Sequence, residues 1–143
     1  MSDYLSAGPL IIARIKAKTG IEDVRPAREL AGIAESAIRS PSVFVVYGGD
    51  TLGANGGRGQ AQVVRQRWVV VLAVRNATQG DGGEATATEA GPLITELLEF
   101  LQGWEPSTNH GPLERKQAQQ PGYSPAFAYY PLAFDCQLFT IGD

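Results

Sequence analysis

The sequence predicts one α+β domain over residues 1–143, with a mainly antiparallel or mixed sheet whose long central hairpin packs against about three helices. Three observations lead there. Apolar residues recur at three- and four-residue steps in three segments, the pattern of helices with one buried stripe. Between the second and third lies "QVVRQRWVVVLAVR", Gln62 to Arg75, which alternates in character as far as Trp68 and is wholly apolar from Val69 to Val74. The chain then closes on "FAYYPLAFDCQLFTI", Phe127 to Ile141, which alternates again. Helices interspersed among such strands, without a regular βα repeat, point to antiparallel pairing.

The first helix is expected over Ser6 to Lys18, with Leu10, Ile11 and Ile15 inward, Pro9 in its first turn and Gly20 to end it. "IEDVR" is a short strand. Pro26 then opens a second expected helix, "PARELAGIAESAIR", whose stripe is Leu30, Ile33, Ala34, Ala37 and Ile38 and which stops before Pro41. "SVFVVYG" is a buried strand by its β-branched and aromatic content. "GDTLGANGGRGQ" after it is too glycine-rich for regular structure and reads as a hairpin loop. "NATQGDGGEAT" is a second flexible stretch, leading to the third helix, "EAGPLITELLEFLQG". There Leu93, Ile94, Leu97, Leu98 and Leu101 face inward, Thr86 and Glu89 have capping-box spacing, and Gly103 can end the helix in a left-handed conformation. "LERKQAQQPGYSPA" holds a weak strand signal. Pro131 places the final strand at an edge or a bulge, because it cannot donate to a ladder.

If Gln62 to Arg75 is extended throughout, it spans roughly 45 Å at about 3.3 Å per residue, more than a domain of this size covers. Val70, Leu72 and Val74 lie on one face, while Val69, Val71 and Ala73 share the other with Arg65 and Arg67. The polar end, joined to the glycine-rich segment, is therefore the one that projects. A bulge splitting the run into two ordinary strands fits the periodicity equally well.

Composition excludes several classes. Hydrophobic residues at 43% and charged residues at 19% suit a folded domain rather than a disordered chain. A net charge of −3 offers no general attraction to nucleic acid. One cysteine, Cys136, cannot form an internal disulfide. The N-terminal apolar run lacks the charge order of a secretory signal, and no run approaches the roughly 20 residues that span a bilayer. A soluble protein made in the cytoplasm is expected.

The search for chemistry returns little. Gly48 to Gly59 matches neither a phosphate loop nor a dinucleotide fingerprint. His110, the one histidine, reads as a solvent-exposed loop residue without a catalytic partner. Cys136 reads as a small packed thiol. Glu96 and Glu99, three apart, read as a solvated helix face, and no zinc, calcium or serine-nucleophile spacing is present. Trp68 and Trp104 read first as closing the edge of the core, with interface anchoring as the other use of such side chains.

The segments "YLSAGPLIIARIKA", "VRPARELAGIAE", "VVRQRWVVVLAVRN", "AGPLITELLEFLQGW" and "YSPAFAYYPLAF" resemble, in order and over nearly the whole chain, the tail-terminator-like proteins of Mu-like phages and prophages. The resemblance implies a small α+β subunit that forms a ring, commonly of six copies, on the head-proximal end of the tail tube. Such a ring stops tube growth and offers the surface that joins tail to head. Its partners would be further copies of itself, the tail tube protein and a head-completion or neck protein. Neither a membrane nor a specific nucleic acid is among them. It would reside in the virion at the tail–head junction after assembly in the bacterial cytoplasm. No cofactor, metal or catalytic residue is implied. On this reading neighbouring copies cover sheet positions that the subunit's own helices leave open. Arg65, Arg67 and Trp68, the loop residues Gly53, Asn55 and Arg58, and Tyr123 and Tyr129 are the expected interface residues. The alternatives are another neck or tail-completion protein, and a small ligand-binding or enzymatic domain using the glycine-rich loop as a lid.

Overall fold

A computed structural model of the chain describes residues 3–29, 33–76 and 84–143, without the side chains of 84–86. The elements run α1 (Ala7–Lys18), β1 (Asp23–Ala27), β2 (Ser42–Gly56), β3 (Ala61–Arg75), α2 (Glu84–Leu101), β4 (Glu114–Lys116), β5 (Gly122–Tyr123) and β6 (Phe127–Ile141), with a 3₁₀ turn at Glu35–Ala37. Among the described residues they form a six-stranded sheet ordered β1-β2-β3-β6-β4, with β5 also pairing with β6. β1 is parallel to β2 and the other pairings are antiparallel, so the sheet is mixed.

Two α-helices, not about three, accompany the sheet among the described residues. The second expected helix is not formed where it is described. Pro26 and Ala27 complete β1, and only Glu35–Ala37 turns helically; Leu30 lies outside the described residues. Pro26 fits an edge strand. Ile33 and Ile38, read as a helical stripe, instead pack from an irregular segment onto Phe44, Val71 and Phe127. α1 follows its stripe, with Ile11 and Ile15 fully buried. Its stop is Thr19 rather than Gly20: the Thr19 amide and hydroxyl both donate to the Ile15 carbonyl, at 2.9 and 2.8 Å. α2 begins at Glu84, two residues before Thr86, so the expected capping box does not mark its start. Gly103, at φ +77°, takes the left-handed conformation that closes it. Most of the expected flexible stretch before α2, residues 77–83, lies outside the described residues.

The long strand is real and unbroken. Fifteen consecutive pairs join β3 to β6, from Ala61 opposite Ile141 to Arg75 opposite Phe127. The irregularities sit in β2 instead, with register shifts between Tyr47 and Asp50 and between Leu52 and Asn55. The glycine-rich segment is therefore mostly strand, hydrogen-bonded to β3 as far as Gly56, and only Gly57 to Gln60 form the turn. This removes the loop that would have served as a lid. Pro131 is not on an edge strand, since β6 lies inside the sheet. It falls where the outer side of β6 is bare, between β5 opposite Ala128–Tyr129 and β4 opposite Ala133–Asp135.

Each face of the apolar half of β3 is covered from within the chain. On one, Trp68, Val70, Leu72 and Val74 meet Ile11 and Ile15 of α1 and Leu97 and Leu101 of α2. On the other, Val71 and Ala73 pack with Phe44 and Phe127 beneath Ile38 and Ile33. Burying side chains of this size stabilises by about 1.5–3 kcal/mol each. The open part of the sheet is the other half, the polar end that was expected to project.

Candidate functional site

β1 ends opposite Val46, so from Tyr47 onward no strand pairs with the outer side of β2 among the described residues. From that point β2, β3 and the end of β6 continue as a three-stranded projection, and residues 51–60 are exposed throughout. A polar network anchors its base. The Tyr4 hydroxyl donates to Asp50, the Gln66 amide donates to the Tyr4 carbonyl at 2.7 Å, and the Trp68 indole N–H donates to Gln66 at 3.3 Å. Burial, then the Asp50 carboxylate, pushes the Tyr4 hydroxyl up to about 12. The far end is tied by Gln60 and Gly142, which exchange two hydrogen bonds, and by the Gln62 amide donating to the Gly53 carbonyl at 2.9 Å. The projection is thus a built ribbon.

Its exposed apolar side chains are the feature that sequence reasoning missed. Leu52 is 65% exposed, Phe139 55% and Ile141 76%. Register puts Phe139 opposite Val63 and Ile141 opposite Ala61 on the face away from the helices, while Leu52, opposite the buried Val64, lies on the helix face. The available signal was the unbroken β3–β6 alternation, which carries apolar residues past the end of the core.

Above this patch on the same face lies a charged band. Arg65 pairs with Glu114 at 2.8 Å, and Arg67 grips Asp135 at 2.6 and 3.5 Å. Hydrogen bonding to Asp135 raises the Arg67 pKa above its ordinary value. Both arginines share the predicted face, but each is already satisfied by an acid of the same chain. Above the band is an open trough of about 590 Å³, floored by Val46, Val69, Pro131 and Ala133 and flanked by Arg28 and the Gln117–Gln120 segment.

The other expected residues divide. Gly53, Asn55 and Arg58 belong to the projection, with Arg58 in the turn at φ +60°. Trp68 is 4% exposed, tilted against Tyr47 at 5.0 Å and packed on Gly8, where a Cβ would come within 2.9 Å of its ring; it is a core residue. Trp104 also packs on the core, beneath the Arg14 guanidinium. Tyr129 borders the trough and donates to Glu35 at 2.7 Å, whereas Tyr123 is exposed against the edge of Tyr130. Arg67 and Tyr129 both line the trough, whereas Gly53, Asn55 and Arg58 lie on the projection and Trp68 in the core, so the eight residues do not all converge on one place.

His110 is buried, not solvent-exposed as expected, because it bridges to Leu138 at the margin of β6. Its Nδ1 lies 2.6 Å from the Ser107 hydroxyl, its Nε2 has no partner, and burial lowers its pKa. Cys136 is a packed core thiol, raised to about 11 by burial. No group of three or more His, Cys, Asp or Glu among the described residues is placed to hold a metal, and no helix there is long and apolar enough to cross a membrane.

Residues 1–142 match a protein-family model described as phage tail terminator protein. No curated protein matches the chain.

Proposed function

The chain belongs to the phage tail terminator family, which gives it a structural role in a phage tail, and we propose that it caps the head-proximal end of the tail tube as a ring. Capping is a binding function with no bond made or broken. The ring occupies the end of the growing tube and presents an upper surface that recruits no further tube subunit, only the neck.

The observation that carries this reading is the projecting ribbon. It is hydrogen-bonded within itself and anchored by Tyr4, Asp50 and Gln66, yet it leaves Leu52, Phe139 and Ile141 in water. Large apolar side chains held exposed on both faces of one ordered ribbon favour a macromolecular contact. The two arginine pairs are better assigned to bracing that ribbon than to gripping a partner.

Particles assembled without the chain test the proposal. Tubes of uncontrolled length that fail to join heads are expected, with purified chain restoring joining. Labelled chain in intact particles should lie between tube and neck. Tails of normal length in its absence, or label at another level, would transfer the role to a different tail-completion protein.

A further inference from the structure

β4 pairs with β6 only as far as Asp135, and beyond it no further strand pairs with the outer side of β6 among the described residues. That side is met instead by the loop from Glu105 to Pro112, which is fastened in two places. Its neck is closed by the Gly103 amide donating to the Leu113 carbonyl and the Leu113 amide donating to the Trp104 carbonyl, both at 2.9 Å. Its middle lies on β6, where the Gly111 amide donates to the Gln137 carbonyl at 2.8 Å, the Cys136 thiol donates to the Gly111 carbonyl at 3.4 Å and His110 bridges to Leu138. Here β6 is entering the projecting ribbon, so the loop sits at the ribbon's root.

His110 is the plug of the second fastening. It is 4% exposed, and its Nδ1 lies 2.6 Å from the Ser107 hydroxyl. That hydroxyl oxygen already accepts from the Asn109 amide at 3.1 Å, so its own hydrogen goes to Nδ1 and the network assigns the ring proton to Nε2, which is buried without a partner. A second proton would have to enter at Nδ1. It would cancel the bond from Ser107 and leave a buried cation with Nε2 still unsatisfied. No acid compensates. Glu105 and Tyr4 border the same open hollow as the ring without bonding to it, the Cys136 thiol is turned to Gly111, and Arg65, opposite Gln137, is paired with Glu114.

We infer that the 105–112 loop is an acid-released latch on the root of the ribbon, held shut by the uncharged His110 ring. Burial lowers the pKa of that ring below the ordinary 6.5, so an opened loop takes up a proton that the closed loop resists. Closure is complete above about 6.5 and weakens as pH falls toward the lower value of the closed ring. Release frees Gly111 from Gln137 and bares the backbone of β6 where the ribbon leaves the core. The neck stays closed, because its two bonds join backbone groups alone.

Amide hydrogen exchange of the chain without added histidines, from about pH 7.5 to about pH 5, tests it once each rate is corrected for the intrinsic effect of pH. The Gly111 amide should lose protection as pH falls below about 6.5, by up to about tenfold for each pH unit, while the Gly103 and Leu113 amides of the neck keep theirs. In His110→Phe, which fills the site without titrating, the Gly111 amide should show no such loss. His110 is the single histidine, so its ring carbon signals in the parent chain report the titration directly whether or not the variant folds, and a midpoint below 6.5 is expected. Gly111 protection that is flat with pH overturns the latch. So does a ring that titrates at 6.5 or above, a loss shared equally by the neck, or a loss that persists in His110→Phe.

Discussion

Glu35 shows how one side chain fixes the cover over half the sheet. The Ser124 and Tyr129 hydroxyls both donate to its carboxylate, at 2.5 and 2.7 Å, tying the 3₁₀ turn to the segment entering β6. Those bonds, Ser124 first and then Tyr129, hold its pKa below the ordinary 4.5. Between the two values the unfolded chain takes up a proton that the folded chain resists. The stabilisation is therefore complete above about 4.5 and is lost as pH falls through the lower folded value. Glu35→Gln should melt below the parent at neutral pH, and the gap should close as acid is added. A gap that stays constant in thermal melts followed by near-UV circular dichroism would contradict the latch. Nothing local announces this residue, because its partners lie 89 and 94 positions away. Likewise, alternation placed Arg65 and Arg67 on one face, whereas Glu114 and Asp135 meet them only through the fold.

At the scale of the element, β6 was legible from its period-two alternation, and β3 from alternation up to Trp68 running into the β-branched apolar stretch Val69 to Val74. β2 was not, since low strand propensity in Gly48 to Gly56 is outweighed by pairing with β3. The glycines there serve the first irregularity: Gly49, at φ +90°, follows Tyr47 where the register shifts and lets the strand resume at Asp50. Gly49→Ala should destabilise by about 1–2 kcal/mol, the usual cost of a side chain in a left-handed conformation. Urea unfolding measures it, and an unchanged midpoint would show that the strand passes this point another way. The misread second helix has the opposite cause. A helical spacing of Ile33 and Ile38 was present, but their partners Phe44, Val71 and Phe127 are met from an irregular strap instead. Periodicity reports which residues seek burial, and only tertiary contact decides what backbone carries them there.

The whole molecule divides into a closed half and an open half. The closed half buries both faces of its sheet under α1, α2 and the strap. The open half keeps its polar ends tied and its charges paired, yet leaves Leu52, Phe139 and Ile141 uncovered. That asymmetry was partly foreseeable from the length and polarity of Gln62 to Arg75; the apolar patch was not, since it depends on β6 extending alongside β3 to the tip. On the proposed capping role, those uncovered side chains would gain apolar burial when the chain joins a finished tube. Hydroxyl-radical footprinting of those three side chains tests this most directly, by comparing the isolated chain with the chain in assembled tails. The account predicts strong labelling of Leu52, Phe139 and Ile141 in isolation and marked protection of Phe139 and Ile141 in the tail; equal labelling of both in the two states would contradict it.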